Sequence, residues 1–264
     1  MTLRHRWPVR LMHWINALAC VVLLMSGLQI FNAYPALHWG RSSYDGRPPV
    51  LQIGARMDGQ GNPAGYTRVF GREFDTTGVL GMSNGVARGF PAWLTLPGQQ
   101  WLAMGRRWHF FFAWVLVVNG VVYIAYSVAS RHLARDLVPT RADWRSIGRS
   151  IIDHLLLRHP KGAAARRYNV LQKLAYLGVV FVLFPLVILM GWAMSPGLNA
   201  LLPGWVDVFG GRQAARTLHF VAAWLLVGFV FVHVFEVVIS GFWNNLRAMV
   251  TGRYRIAVDG DRDG

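Results

Sequence analysis

The sequence predicts an all-α integral membrane protein built on a bundle of four transmembrane helices. Of its 264 residues, 54% are hydrophobic and only 15% are charged, which is unusual for a soluble domain of this length. Four apolar segments are long enough to cross roughly 30 Å of hydrocarbon. Basic residues lie beside the ends of these segments, as in membrane proteins that follow the positive-inside rule.

The four predicted helices lie within a single membrane domain, 1–264, and cover approximately residues 11–32, 108–128, 174–195 and 217–241. The first helix follows a short basic stretch, as the apolar core of a signal peptide does. Its apolar core is longer than that of a signal peptide, and no small-residue cleavage site follows it. We therefore expect it to remain as an uncleaved helix.

The charge distribution predicts the topology. The connection 129–173 carries ten Lys or Arg residues against three aspartates, and further arginines follow the fourth helix. Both regions and the N-terminus are therefore expected in the cytoplasm of a bacterium, with the chain in the inner membrane. The loops 33–107 and 196–216 then face the periplasm. This bias also explains the formal charge of +15, because no nucleic-acid-binding motif occurs.

Two connections carry further signals. Thr140 to Asp143 matches a helix-capping pattern, and isoleucines and leucines then recur at helical spacing among arginines. This pattern predicts an amphipathic helix over about 143–157 at the cytoplasmic interface. The long periplasmic loop 33–107 contains scattered aromatic residues, which argue against disorder. We expect either a passive folded lid or a docking surface for a partner.

The histidines separate into two groups. Four lie in or just inside the apolar spans, where an ionisable residue is costly and is functional by default: His13, His109, His219 and His233. The other five lie in polar contexts and are expected at the surface: His5, His38, His132, His154 and His159.

The spacing of the four intramembrane histidines predicts two pairs. His219 and His233 are separated by about 21 Å along one helix and by only about 40° around it, so they share a face at different depths. His13 stands at the cytoplasmic start of the first helix, and His109 stands at the opposite start of the second. Depth therefore matches His13 with His233, and His109 with His219.

Two stacked histidine pairs in an apolar bundle predict two b-type haems, with the four histidines as iron ligands. Two neutral imidazoles fill both axial positions of a haem iron, which then passes electrons and has no open position for a substrate. No catalytic residue is therefore predicted. The lone cysteine, Cys20, excludes an intrachain disulfide, and the absence of C-x-x-C-H excludes covalently attached haem within this chain.

Two glycines fit the same interpretation. Gly27 follows His13, and Gly120 follows His109, at spacings that put each glycine near the face of its histidine but at the other depth. Each would offer a surface without side chain to the haem held by the other pair. Small residues also simply pack transmembrane helices, and any single histidine here is better explained as a hydrogen-bonded core residue. The pairing of four by depth favours haem.

Several basic residues near the helix ends are candidates to neutralise haem propionates through charge-assisted hydrogen bonds. They are Arg10, Arg106, Arg107, Lys173, Arg216 and Arg247. Each is also explained by a long side chain that reaches the membrane interface, and the sequence leaves both explanations open.

The motifs resemble a known family. RLMHW (10–14), SG (26–27), RRWHF (106–110), YNVLQK (168–173) and the histidine pair of the fourth helix resemble the bacterial cytochrome b561-like membrane subunits. That group includes the di-haem cytochrome b subunits of nickel-iron hydrogenases, formate dehydrogenases and thiosulfate reductase-type molybdoenzymes. The long first loop, with RVFGREFDTTGVLG and RGFPAWLTLPG, is most similar to the thiosulfate reductase-like cytochromes.

The resemblance implies electron exchange between the quinone pool and a periplasmic catalytic subunit, which for this subfamily is a molybdopterin enzyme. His13 and His233 would hold the inner haem, and His109 and His219 the outer one. Quinone would bind near the inner haem, where its carbonyl oxygens need hydrogen-bond donors. The candidates are Asn169, Gln172 and Lys173, and Glu236 is a candidate to relay protons or to pair with an arginine.

Other functions remain open at this point. The family that the chain resembles also contains self-sufficient superoxide:quinone oxidoreductases, in which a cationic rim would steer a small anion. A hydrogenase-type cytochrome b subunit is a second alternative, and a homo-oligomer is compatible with either. The long first loop favours a subunit that docks a partner. A non-redox transporter or sensor is disfavoured because carboxylates are scarce in the spans.

Overall fold

The computed structural model describes residues 2–3, 6–131, 133, 138–156 and 170–255. It contains four helical segments that are long and apolar enough to cross a membrane, as the sequence predicts. They are Trp7–Phe31, Leu102–Ala129, Val170–Ala193 and Arg212–Ile239. Each begins about a turn or more before its predicted start, because basic residues beside the apolar runs are also helical.

The chain divides into two compact units, and each contains parts of the long helices. The first unit comprises residues 1–16, 118–185 and 225–264. The second unit comprises residues 17–117 and 186–224. The histidines of each predicted pair belong to one unit: His13 and His233 to the first, His109 and His219 to the second.

In the first unit, a short strand β1 (Thr2–Leu3) precedes helix α1 (Trp7–Phe31). The connection between α1 and the second helix belongs to the second unit and contains strands. These are β2 (Ala36–Leu37), β3 (Leu51–Met57), β4 (Pro63–Val69), β5 (Arg72–Asp75), β6 (Gly81–Ser83) and β7 (Val86–Arg88). Strands β2 to β5 form one antiparallel sheet in that order, and β6 pairs with β7. The prediction of an all-α protein is therefore wrong for this segment, and the chain is mostly helical.

The physical reason lies in turns and in a shared apolar core. Asn84 and Gly85, with φ of +50° and +73°, form the two-residue turn between β6 and β7, which requires left-handed backbone. The apolar residues of the connection pack against the end of α1 in one cluster. Its buried members are Leu28, Phe31, Leu37, Ile53 and Phe90. The connection is thus a folded part of the second unit.

The remaining helices follow in chain order. They are α2 (Leu102–Ala129), α3 (Arg141–Arg145), α4 (Ile147–Leu155), α5 (Val170–Gly178), α6 (Phe184–Ala193), α7 (Pro196–Leu201), α8 (Arg212–Ile239) and α9 (Phe242–Thr251). A π-helical turn, Val179–Leu183, joins α5 to α6. Pro185 explains this turn, because a proline has no N–H and its ring displaces the carbonyl of the preceding turn.

The predicted amphipathic helix of 143–157 is present as two shorter helices, α3 and α4. The predicted cap is confirmed: Thr140 and Asp143 form a reciprocal capping box at the start of α3. Asp143 also accepts a hydrogen bond from Lys173 of α5, at 2.9 Å between Nζ and Oδ2. This bond, together with those from Thr140, lowers the pKa of Asp143 to about 2.

Candidate haem sites

His109 on α2 and His219 on α8 face each other in the second unit. Their ring centroids are 6.1 Å apart and the ring planes make an angle of 65°. His219 follows Thr217, whose hydroxyl donates to the backbone oxygen of His38 at 2.7 Å. This bond ties the first turns of α8 to the α1–α2 connection of the same unit.

Hydrogen bonds fix the orientation of both rings in the second unit. Nδ1 of His109 lies 3.2 Å from the backbone oxygen of Leu23 and 3.2 Å from Oγ of Ser26. Nδ1 of His219 lies 2.8 Å from the backbone oxygen of Val187. Because a carbonyl oxygen only accepts, Nδ1 carries the hydrogen in each ring and Nε2 keeps its lone pair. Within the described ranges, neither Nε2 atom has a hydrogen-bond partner.

A glycine lies against each of these imidazoles. A Cβ added at Gly27 would lie 3.3 Å from Cε1 of His109, and one added at Gly191 would lie 3.4 Å from Cε1 of His219. Gly27 is one helical turn after Leu23, and Gly191 is one turn after Val187, whose carbonyl oxygens accept from these rings. In both places the missing side chain lets an imidazole reach the carbonyl of the preceding turn.

His13 on α1 and His233 on α8 face each other in the first unit. Their ring centroids are 6.3 Å apart, with an interplanar angle of 57°. His13 makes an edge contact with Trp14, and His233 stacks on Phe229. In this pair Nδ1 of His13 is buried and has no hydrogen-bond partner in the described part of the chain.

The backbone near His13 is held by its neighbours. Asn119 of α2 donates to the backbone oxygen of Met12 at 2.9 Å and to Oδ1 of Asn16 at 2.7 Å. Trp14 donates to the backbone oxygen of Met249 at 3.2 Å. Helix α9, which the sequence reasoning missed, supplies this last acceptor. The polar residues of this short helix do not indicate in the sequence that its backbone accepts a hydrogen bond from Trp14.

Each of the two pairs has the spacing expected for two imidazoles that bind one metal ion. With a metal–imidazole bond of about 2.0 Å, and about 1.1 Å from that nitrogen to the ring centroid, two rings on opposite sides of one ion have centroids about 6.2 Å apart. The observed separations are 6.1 and 6.3 Å. Among the described residues no cluster of three or more metal-ligating side chains occurs. A haem suits two histidines, because its ring supplies the other four ligands.

The other predicted contacts are distributed as follows. Gly27 lies against His109, as described, whereas a Cβ at Gly120 would meet no atom within 4 Å. Arg10 donates to the backbone oxygen of Val250 at 2.6 Å. Arg107 is exposed. Lys173 is buried and paired with Asp143.

Further candidates from the sequence are two quinone-site residues and two arginines. Gln172 is exposed, and Asn169 lies outside the described residues. Arg106 packs over the ring of Phe110. Arg216 donates to the backbone oxygens of Tyr34 and Ala36, so its guanidinium serves the α1–α2 connection.

His38 differs from its predicted surface position. It is only 6% exposed, and its Nε2 lies 3.0 Å from the hydroxyl oxygen of Tyr34. The cause is the folding of the α1–α2 connection, which buries His38 beside the start of α8. His5, His132 and His159 lie outside the described residues, as does the side chain of His154.

A helical protein with four membrane-spanning segments and facing histidines at metal-binding distance has the features of a membrane-bound b-type cytochrome. Residues 4–252 match the family model of the prokaryotic cytochrome b561 proteins, and the chain belongs to that family. It is accordingly a membrane protein that binds haem b and acts in electron transfer.

Two relatives of the chain are named as subunits of redox enzymes. It is 27% identical to a putative protein-methionine-sulfoxide reductase subunit, YedZ1, of Azospira oryzae, over 92% of this chain and 93% of the relative. It is also 27% identical to a probable Ni/Fe-hydrogenase B-type cytochrome subunit of Cupriavidus necator, over 96% of this chain and 86% of the relative. No solved structure matches the chain significantly.

Proposed function

We propose that this protein is a di-haem b-type cytochrome that transfers electrons between the quinone pool and a periplasmic redox enzyme. His109 and His219 would hold one haem, and His13 and His233 the other. The observation that carries the proposal is the equal spacing of the two histidine pairs, at 6.1 and 6.3 Å between ring centroids. A haem bound by two imidazoles supplies one-electron transfer without an open coordination site.

The protein's own residues bind and orient. In the second unit, backbone oxygens of Leu23 and Val187 hold the hydrogen on Nδ1 of each histidine, which leaves Nε2 available as a ligand. In the first unit, Asn119 holds the turn that carries His13. Arg10 and Arg107 remain candidates to pair with haem propionates.

Quinone would bind on the cytoplasmic side, near α5. Lys173 is 9% exposed and donates to Asp143, its one hydrogen-bond partner among the described residues, and its ammonium has three N–H groups, so it is a candidate donor to a quinone carbonyl. Gln172 and Asn169 are the neighbouring candidates. The N- and C-termini would lie in the cytoplasm of a bacterial cell and the α1–α2 connection in the periplasm, which agrees with the positive-inside rule.

The periplasmic partner would be a molybdopterin-type oxidoreductase. Two observations support a docked partner. Both relatives are named as subunits of larger enzymes. The α1–α2 connection is folded and exposes large aromatic side chains, among them Tyr44, Phe70 and Trp93, at 92%, 79% and 71%.

The proposal is tested by purifying the protein from native membranes in mild detergent. We expect a periplasmic oxidoreductase to co-purify, and quinol to reduce, or quinone to oxidise, the haems of the complex. Fast reduction of the isolated cytochrome by superoxide, with rates that fall steeply as salt rises, would instead favour a self-sufficient superoxide:quinone oxidoreductase. A hydrogenase as the co-purifying protein would favour the hydrogenase-type subunit.

A further inference from the structure

Ser26 is a fully buried hydroxyl on α1 that contacts the ring of His109. Its relative exposure is 0%, and its Oγ lies 3.2 Å from Nδ1 of His109. The same Oγ donates to the backbone oxygen of Val22 at 2.6 Å. A hydroxyl has one hydrogen, and the short contact to Val22 uses it. The lone pairs of Ser26 therefore accept the hydrogen on Nδ1 of His109.

The hydrogen of His109 is shared between two acceptors. The oxygen of Leu23 and Oγ of Ser26 lie at the same distance from Nδ1. The backbone oxygen of Leu23 belongs to the hydrogen-bonded backbone of α1. The hydroxyl of Ser26 is on a side chain, which a substitution can remove without changing the backbone. Ser26 is thus the adjustable part of this contact.

The turn of α1 that carries Ser26 is also fixed from the other side. Leu96 donates its backbone N–H to the oxygen of Met25 at 3.1 Å. Arg88, buried in the α1–α2 connection, donates to Gln29 at 3.3 Å. These bonds hold Ser26 against His109, so the contact is a built feature of the second unit.

A group that accepts a hydrogen bond from Nδ1 of a metal-binding imidazole makes Nε2 a stronger electron-pair donor to the metal. A stronger donor stabilises the ferric form relative to the ferrous form and lowers the reduction potential. His13 differs, because its buried Nδ1 has no such acceptor among the described residues.

We propose that Ser26 is a positioning residue that lowers the reduction potential of the haem held by His109 and His219. The inference rests on the proposed di-haem function. It goes beyond that function in naming a side chain that tunes the reduction potential of one of the two haems.

The test uses the full-length chain carrying His233→Ala, which should retain only the haem of His109 and His219, so that one potential is measured alone. Ser26→Ala in this background should raise the midpoint potential in a spectroelectrochemical titration. Because Leu23 remains as an acceptor, we expect up to about a tenfold change in the ferric-to-ferrous ratio, or about 59 mV for one electron. Ser26→Thr keeps the hydroxyl and should preserve the original potential.

Ser127→Ala is the matched control. Ser127 is a buried hydroxyl in α2, 2% exposed, and its Oγ has no hydrogen-bond partner in the described part of the chain. Its removal should leave the potential unchanged. A positive shift in Ser26→Ala, with none in Ser26→Thr or Ser127→Ala, supports the inference. Loss of haem from Ser26→Ala would overturn it, because Ser26 would then act on haem binding.

An unchanged or lower potential in haem-loaded Ser26→Ala would overturn the inference and leave the di-haem function standing. Equal shifts in Ser26→Ala and Ser127→Ala would overturn it as well. The proposed function itself fails when the wild-type chain carries no haem or a single one, which the haem-to-protein ratio shows before any titration.

Discussion

The two histidine pairs have nearly the same ring separation but are held in different ways. In the second unit both imidazoles donate from Nδ1 to a backbone oxygen, and a glycine lies against each ring. In the first unit Nδ1 of His13 has no acceptor among the described residues, and a hydrogen bond from Asn119 holds the backbone of the preceding residue instead. The rings of His109 and His219 are therefore oriented directly, whereas His13 is held through the helix that carries it.

This difference shows that spacing and orientation are separate requirements. Two imidazoles bound to one metal ion would have ring centroids about 6.2 Å apart, and this requirement would be the same for either pair. The bonds to the outer nitrogen are free to vary, and they tune the ligand's basicity and the freedom of the ring. Substitutions that change the ring separation without the ring orientation, or the reverse, should therefore affect the two pairs differently.

The largest effect is expected from removing a ligand. His219→Ala should remove only the haem of the second unit, and His233→Ala only that of the first, because each histidine belongs to one pair. The haem content per chain should fall to about half in both variants. Difference spectra and haem-to-protein ratios check this. A variant that keeps both haems would refute the assignment of its histidine.

Filling the glycine positions should have the next largest effect. Gly191→Val should displace His219, because a Cβ there already lies in contact with Cε1, at 3.4 Å, and valine adds two methyl groups to that Cβ. We expect loss or weakening of the second-unit haem, with the first-unit haem intact. Gly228→Val is a matched control on α8, since a Cβ at Gly228 meets no atom within 4 Å. Equal haem loss in both variants would argue against a specific role for Gly191.

Asn119→Leu should affect the first unit in a graded way. It removes two hydrogen bonds and leaves Oδ1 of Asn16 and the backbone oxygen of Met12 without this donor, a cost of about 1–3 kcal/mol to this part of the fold. The haem of His13 and His233 should dissociate more readily, and its transition in a redox titration should become broader. Haem retention during dilution measures this. Preferential loss of the second-unit haem would contradict the division into two sites.

The smallest effect is expected at the ion pair of Asp143 and Lys173. The pKa of Asp143 is lowered, so its contribution to stability is present above the ordinary pKa of 3.8 and disappears as the pH falls toward about 2. Because the carboxylate is partly exposed, we expect only about 0.5–1 kcal/mol. Asp143→Asn should lower the thermal midpoint slightly at pH 7 and no longer at low pH. An equal loss at both pH values would exclude the ion pair as the cause.

The sequence predicted the membrane helices and the facing histidines, because both depend on local regularities. Apolar length identifies a span, and a helical repeat turns residue spacing into depth and face. Gly191 lay within an apolar run where a glycine has several explanations. Leu23 and Val187 accept the hydrogen bonds of the imidazoles through their backbone oxygens. Every residue has such an oxygen, so the residue type does not indicate this role. The strands of the α1–α2 connection depend on packing against Leu28 and Phe31, far away in sequence.

The most direct test of the central claim is the haem-to-protein ratio of the purified wild-type chain. Pyridine haemochrome absorbance gives the haem content, and amino-acid analysis gives the protein content of the same sample. Two histidine pairs at metal-binding distance predict two b-type haems per chain. A saturated ratio of one, or the absence of haem, would contradict the account.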